Sequence, residues 1–125
     1  MTATVDHVAL PARDSATSAR FLAAVLGDLP ARQAGPDDDM FAVHLDGDTM
    51  LLYMDAPQTP RGHVALRIDA ERFAGAVAAL RERGVPFGND PGAPENGATN
   101  DCIGTGSRLY FSDVDGHLIE LVAPS

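Results

Sequence analysis

The tetrapeptide His-Val-Ala-Leu occurs twice in this chain, at residues 7–10 and 63–66, a separation of 56 residues. Each copy is followed by a stretch with apolar residues at helical spacing, and then by a segment that contains an Asp-Gly pair, at 46–47 and 115–116. An Asp-Gly pair between two apolar segments is typical of a β-hairpin. The chain therefore contains two copies of one strand–helix–hairpin unit, which restricts it to a pseudo-symmetric fold.

The duplication predicts a single α+β domain over residues 1–125, with a first module at about 1–56 and a second at about 57–125. Each module has the order βαβββ, and together they form a curved, mostly antiparallel sheet with the helices on its outer face and a cavity on the other. The predicted elements are strands at 5–11 and 63–68, a helix from Asp14 or Ser15 to Gly27, a helix over 70–83, and hairpins over 40–54 and 107–122.

Composition narrows the classes of partner. The chain has 9 basic and 18 acidic residues and a net charge of −9, which repels a phosphate backbone, so we expect no nucleic-acid partner. No apolar stretch approaches the roughly 20 residues that span a bilayer, so we expect no membrane partner. Cys102 is the single cysteine and has no partner for an internal disulfide, and the N-terminus lacks a secretory signal. We therefore expect a protein of the reducing cytoplasm.

Alternation along the predicted strands places three potential metal ligands on one face. In the first strand of each module the larger aliphatic residues suit packing against a helix, which directs His7 and His63 to the opposite face. In the last strand Ile119 and Leu121 pack inward, so Glu120 points into the cavity. Two imidazoles and one carboxylate suit Fe(II), Mn(II), Co(II), Ni(II) or Zn(II) and leave coordination positions open.

Two segments, DHVALPARDSATSARFLAAVLG at 6–27 and YFSDVDGHLIEL at 110–121, resemble the vicinal oxygen chelate superfamily of glyoxalase I, extradiol dioxygenases, fosfomycin-resistance enzymes and bleomycin-resistance proteins. The second segment is close to the Tyr-Phe-x-Asp-Pro-x-Gly-His-x-x-Glu ending of that family, with Val114 where proline is usual. The resemblance covers nearly the whole chain. It implies one divalent metal ion on His7, His63 and Glu120, a small-molecule substrate that chelates it through two neighbouring oxygens, and a homodimer.

One position departs from glyoxalase I. Counted from each Asp-Gly pair, Leu51 in the first module aligns with Glu120 in the second. Glyoxalase I usually has a fourth protein ligand on this strand and uses that carboxylate as its proton-transfer base, and leucine can do neither. The resemblance therefore favours an extradiol dioxygenase-like enzyme, or another lyase or transferase, over glyoxalase I.

Three further side chains are candidate catalytic residues. Tyr110 matches a tyrosine that lines the cavity in fosfomycin-type relatives, with simple packing as the alternative. Arg67 lies on the face of His63 and can bind an anionic group of the substrate or pair with an acidic side chain. Tyr53, on the face of Leu51, can act as an acid or base, or can be buried with its hydroxyl hydrogen-bonded.

The segment 88–107 joins the second helix to the hairpin that contains Glu120 and is rich in Gly, Pro and Asn. A long segment without secondary structure in a compact domain is often an active-site lid. We predict that it covers the mouth of the cavity and becomes ordered when a ligand binds. A solvated connection and a segment buried in a dimer contact are the alternatives.

The acidic charge also fits a second class of function, a metal-free binding protein of the bleomycin-resistance kind that sequesters a cationic small molecule. The complete His-His-Glu set favours the metal-dependent enzyme, because a protein that only binds has no need of it.

Overall fold

Residues 2–125, which the computed structural model describes, form seven strands and two helices. The α+β class that the sequence predicts is confirmed. In chain order the elements are β1 (His7–Ala12), α1 (Ser15–Val25), β2 (Ala31–Gln33), β3 (Met40–His44), β4 (Met50–Asp55), β5 (His63–Arg67), α2 (Ala70–Glu82), β6 (Ser107–Ser112) and β7 (Leu118–Ala123), with a 3-10 turn at Asp46–Asp48.

The strands form two mixed sheets, one for each module. The first sheet has the order β1-β4-β3-β2 and the second has the order β5-β7-β6. In both modules the first strand pairs in parallel with the last, whereas the hairpin pairs β3–β4 and β6–β7 are antiparallel. The two modules therefore share the arrangement of three strands, as the repeat predicts, while the hydrogen-bonded ladders divide the expected single sheet in two.

Both helices begin after an aspartate and end close to a glycine. Asp14 and Asp69 each accept a hydrogen bond from the backbone N–H three residues further on, at 3.2 and 2.7 Å. These bonds satisfy amide groups that have no partner within the helix. Gly27 (φ +82°) and Gly84 (φ +66°) adopt the left-handed conformation that stops a helix. No helix in the described part of the chain is long and apolar enough to cross a membrane.

Over residues 2–125, the second module has no strand that corresponds to β2. In its place Gly88 alone exchanges two backbone hydrogen bonds with Tyr110 of β6, at 3.2 and 2.7 Å. A Cβ atom on Gly88 would lie 2.7 Å from the backbone nitrogen of Asn96. The chain that follows therefore approaches this position so closely that only glycine fits.

Both modules share one hydrophobic core. Helix α1 packs against the strands of the first sheet and against α2. The ring of Phe21 in α1 meets Phe111 of β6 edge to face, with 6.2 Å between ring centroids. Leu22, Tyr53 and Ile119 are among the fully buried members of this core. One face of each sheet is thus used for folding, and the other is left for different contacts.

The turn between β6 and β7 fastens the second module to the first. Its Asp115 accepts a hydrogen bond of 2.5 Å from the hydroxyl of Ser18 in α1. Its His117, which is fully buried, accepts at Nδ1 from the backbone N–H of Gly62 at 2.8 Å and donates from Nε2 to the carbonyl of Pro11 at 2.7 Å. These contacts connect β7 to the end of β1 and to the segment before β5, so the turn joins the two modules.

Candidate functional site

The face of the second sheet that points away from the core has Glu120 of β7 at its centre. Glu120 is in register with Ala65 of β5 on one side and with Tyr110 of β6 on the other. His63 precedes Ala65 by two residues and Arg108 precedes Tyr110 by two, so alternation brings both to the same face. We call this surface the site face.

Both carboxylate oxygens of Glu120 have partners. Oε1 lies 2.9 Å from Nε2 of His63, and Oε2 accepts a hydrogen bond from Nη1 of Arg108. A carboxylate only accepts, so a neutral His63 carries its proton on Nε2. Glu120 is 6% exposed, whereas the His63 side chain is 51% exposed. A buried carboxylate needs a partner of opposite charge, and the Arg108 guanidinium is that partner for Glu120.

The other edge of the Arg108 guanidinium is held by Asp101. Nε and Nη2 of Arg108 donate to the two oxygens of Asp101 at 3.0 and 3.3 Å. This hydrogen bonding lowers the pKa of the Asp101 carboxyl and raises the pKa of Arg108. A polar network, His63–Glu120–Arg108–Asp101, therefore runs from β5 across β7 and β6 into the loop that precedes β6.

Tyr110 lies beside this network. Its ring centroid is 6.1 Å from that of His63. Burial, followed by the negative charge of Glu120, raises the pKa of Tyr110. The hydroxyl therefore keeps its proton at neutral pH, and its catalytic role stays a prediction.

His7 lies apart from this network. It is on β1 in the first sheet, its side chain is 48% exposed, and its Nδ1 is 2.8 Å from Oδ2 of Asp6. Within residues 2–125 of one chain, no group of three or more His, Cys, Asp or Glu side chains is placed to hold a metal ion. Of the predicted ligand set, a single chain brings together His63 and Glu120 and leaves out His7.

The His63–Glu120 pair fits two positions of a divalent metal ion. An imidazole nitrogen and a carboxylate oxygen are ligands that such ions accept, so His63 and Glu120 would hold the ion together. The Nε2 and Oε1 atoms are 2.9 Å apart. With the ring proton on Nδ1 instead of Nε2, both atoms would be free to bind the ion.

The counterpart of Glu120 in the first module is Leu52, and the prediction that it is Leu51 is wrong. Ala9 pairs with Leu52 in the β1–β4 ladder as Ala65 pairs with Glu120 in the β5–β7 ladder. Both turns between the hairpin strands have five residues, but the Asp-Gly pair stands one place later in the second turn. Counting from Asp-Gly therefore shifts the alignment by one residue. Leu51 is fully buried in the core, and Leu52 has no ligand atom either.

Tyr53 lies in the core on the face of β4 opposite to Leu52. It is fully buried, and its hydroxyl donates to Oδ2 of Asp113 at 2.8 Å. Burial, followed by the negative charge of Asp113, raises the pKa of Tyr53. Tyr53 is therefore packed in the core with its hydroxyl hydrogen-bonded, which is the second of its two predicted roles, and it lies away from the His63–Glu120 pair.

Arg67 lies at the end of β5 and lines a cleft of about 410 Å³ between the two modules. The cleft has leucine side chains on several sides, including Leu26 and Leu45, and acidic groups at Asp46 and Asp69. None of the four residues of the polar network lines this cleft. Arg67 therefore lines a cleft that the polar network does not reach.

The loop between α2 and β6 is organised by hydrogen bonds. The side-chain amide of Asn89 donates from Nδ2 to the carbonyl of Asn100 at 2.8 Å and accepts at Oδ1 from Nδ2 of Asn96 at 2.9 Å. The backbone N–H of Arg108 donates to the carbonyl of Thr99 at 2.9 Å. The loop thus has a defined path that ends at the site network, and its role as a lid stays a prediction.

Sequence analysis missed two members of the network, Arg108 and Asp101. Strand alternation contains the signal for Arg108, because a residue two places before Tyr110 shares its face. Asp101 belongs to an irregular loop, and no periodicity relates it to a strand seven residues later. The contact of Asp101 with Arg108 depends on the path of the loop.

Similar proteins of known structure span the whole chain. The structure of oxidase ChaP-H1 is 31% identical, with a TM-score of 0.88 over 99% of this chain and 98% of that one. TnmS3, an antibiotic binding protein from Streptomyces sp. CB03234, is 30% identical, with a TM-score of 0.69 over 99% and 98%. The fosfomycin resistance protein FosX from Listeria monocytogenes, in complex with Mn(II) and sulfate, is 19% identical and shares the fold, with a TM-score of 0.70 over 100% and 93%.

Among curated proteins, none matches this chain. A family model does match, over residues 4–121, and it describes the Glyoxalase/Bleomycin resistance protein/Dioxygenase superfamily. The match includes both modules and all of the site face, in agreement with the resemblance of the two quoted segments. The chain belongs to the Glyoxalase/Bleomycin resistance protein/Dioxygenase superfamily.

Proposed function

We propose that this protein is a small metal-dependent enzyme that acts on a substrate with two neighbouring oxygens, in the manner of an extradiol dioxygenase or a related oxidase. The observation that carries this proposal is the contact between His63 and Glu120, whose nitrogen and oxygen atoms are 2.9 Å apart, with His63 half exposed and Glu120 buried. Its support from relatives is the 31% identity to an oxidase over nearly the full length of both chains.

We propose further that the third ligand, His7, comes from a second copy in a homodimer. In one chain His7 is half exposed on β1, an edge strand of the first sheet, and it is separate from the His63–Glu120 pair. An edge strand presents unpaired backbone groups that favour association. A two-fold dimer repeats each contact, so two His7 side chains would complete two equivalent sites.

Each residue of the proposed site has a separate role. His63 and Glu120 hold the divalent ion, which is Fe, Mn, Zn, Ni or Co in this proposal and supplies Lewis-acid activation of the two substrate oxygens. The half-exposed position of His63 admits a ligand from solvent. Tyr110 keeps the proton on its hydroxyl because its pKa is raised, and it can donate that hydrogen to a substrate oxygen beside Glu120.

Metal binding tests this proposal directly. Calorimetry with Mn²⁺ should give one ion per chain for the wild type, and Glu120→Gln and His63→Ala should abolish the binding. His44→Ala is the matched control, because His44 lies at the end of β3 outside the network and its removal should leave binding unchanged. Absence of heat with Mn²⁺, Fe²⁺ and Zn²⁺ in the wild type would contradict the enzyme proposal.

A metal-free binding protein is the second candidate, and one specific observation favours it. In the described residues every buried side-chain nitrogen and oxygen has a hydrogen-bond partner without any ion. The 30% identity to an antibiotic binding protein adds support. In this case the net charge of −9 favours a cationic cargo. A protein of this class would bind a cationic small molecule with the same affinity in the presence and absence of a metal chelator.

A further inference from the structure

We propose that Arg108 is a positioning residue whose positive charge competes with a metal ion for Glu120. Through its pairing with Asp101, Arg108 also connects metal binding at Glu120 to the loop before β6. This inference rests on the proposed metal site and adds a determinant of its affinity. It concerns two residues, Arg108 and Asp101, that neither the repeat nor the predicted ligand set includes.

The competition follows from how Glu120 is contacted. His63 reaches Oε1 from β5, and Arg108 reaches Oε2 from β6, on the other side of the same carboxylate. In the absence of a metal ion the guanidinium supplies the positive charge that a buried carboxylate requires. A divalent ion on the same group places a second cation close to Arg108, and the two repel each other. Each therefore weakens the binding of the other, and this coupling is reciprocal.

Asp101 gives the guanidinium a second anchor. It accepts from Nε and Nη2 of Arg108, whereas Glu120 accepts from Nη1, so the two carboxylates use different nitrogens. Arg108 can therefore release Glu120 and stay paired with Asp101. Asp101 is fixed in turn, because its Oδ1 accepts from the backbone N–H of Ile103 at 3.1 Å and its own N–H donates to the carbonyl of Gly106 at 3.2 Å.

Two substitutions should shift metal affinity in opposite directions. Arg108→Gln removes the competing cation and should strengthen Mn²⁺ binding about tenfold, a typical size for coupled sites. Asp101→Asn keeps the arginine but removes its alternative partner, so Arg108 depends on Glu120 alone and Mn²⁺ binding should weaken. Arg32→Gln, on the exposed strand β2, is the matched control and should bind as the wild type does. Calorimetry measures all four proteins.

The opposite signs separate this role from a structural one, since damage to the site would weaken binding in both variants. Weaker or unchanged binding in Arg108→Gln overturns the inference and leaves the proposed function intact if the wild type binds. Binding in Arg108→Gln but not in the wild type supports the inference and contradicts the proposed function. No binding in either protein overturns both.

Hydrogen exchange gives a readout that needs no metal. Arg108→Gln should speed amide exchange across residues 99–106, because Asp101 loses its partner, whereas Arg32→Gln should not. In the wild type, saturating Mn²⁺ should slow exchange in this segment further, because an Arg108 that has released Glu120 pairs with Asp101 alone. In Asp101→Asn, protection should already be low. Equal exchange in Arg108→Gln and the wild type would show that the loop does not depend on the network, and would overturn the connection.

Discussion

At the scale of single residues, successive positions of β4 face two different environments. Leu51 is fully buried among the core side chains, whereas Leu52 is partly exposed on the opposite face. A carboxylate at the first position would be an unpaired charge in an apolar core, and at the second it would reach water. The two neighbours therefore form an internal comparison for the strand register.

We expect Leu51→Glu to destabilise the protein by about 3–5 kcal/mol or to prevent folding, and Leu52→Glu to cost about 1 kcal/mol or less. The two variants have identical composition, so each is the control of the other. Urea unfolding followed by circular dichroism measures the difference. A similar loss in both variants would contradict the register of β4.

Tyr53 gives the stability a dependence on alkaline pH. The pKa of an exposed tyrosine in the unfolded chain is about 10, and burial raises it in the folded protein. The contribution of this group is therefore complete below pH 10 and is lost as pH rises from 10 toward the folded pKa, because only the unfolded state releases the proton.

Tyr53→Phe should lower the free energy of unfolding at pH 8 by about 1–3 kcal/mol, since Asp113 loses a buried hydrogen-bond donor. It should also make the fall in stability above pH 10 less steep than in the wild type. Urea unfolding at pH 8, 10 and 11 measures both effects. An unchanged slope above pH 10 would show that Tyr53 ionises as easily in the folded state as in the unfolded chain.

At the scale of elements, two equivalent turns have different duties. The β6–β7 turn is buried against the first module, with Asp115 bound to the backbone N–H of Arg13 and to Ser18. The β3–β4 turn is exposed to solvent, and its Asp46 has the same place before a glycine. One copy of the turn thus joins the two modules, and the other copy is exposed to solvent.

Asp115→Ala should reduce the free energy of unfolding by about 2–4 kcal/mol, because it removes two hydrogen bonds to a buried charged acceptor. Asp46→Ala, the matched change in the exposed turn, should stay within about 0.5 kcal/mol of the wild type. Thermal and urea unfolding of the two variants test the assignment. An equal effect of the two substitutions would mean that the β6–β7 turn does not fasten the modules.

Sequence patterns predicted most elements, because their signals are local. The predicted start of the first helix at Asp14 or Ser15 and its end at Gly27 agree with the structure, as does the predicted helix over 70–83. The turn chemistry gave both hairpins. The position of Asp-Gly within each turn was not predictable, since turns of one length can place this pair differently. Over residues 2–125, the second module has Gly88 where the first has β2, and this difference depends on the path of a loop, which is a tertiary property.

At the scale of the whole molecule, alternation predicts that His63 and Glu120 share a face, and the two side chains are in contact because the register of one sheet determines their distance. The position of His7 depends on how two sheets, and in our proposal two chains, meet. Strand alternation is enough to place Arg108 on this face, but its contact with Asp101 depends on a loop of irregular path. Local patterns therefore specify half of the site, and tertiary or quaternary packing specifies the rest.

The proposed dimer predicts complementation between two inactive variants. Light scattering should show a dimer at micromolar concentration, and neither His7→Ala nor His63→Ala should bind Mn²⁺ alone. After the two are unfolded and refolded together, half of the dimers are mixed and each has one intact site. Binding should then return to about one quarter of the wild-type level. A monomer in solution, or no recovery on mixing, would contradict a site shared between chains.

Because core residues and site residues alternate on the same strands, the surface that meets a ligand can change while the scaffold is conserved. Substitutions that share no contacts have additive effects on stability. Ala65 is opposite Glu120 in the β5–β7 ladder, and Val122 lies two residues further along β7 on the same face; neither side chain belongs to the polar network. If the proposed function holds, substitutions at these positions should change which ligands bind while the free energy of unfolding stays close to that of the wild type.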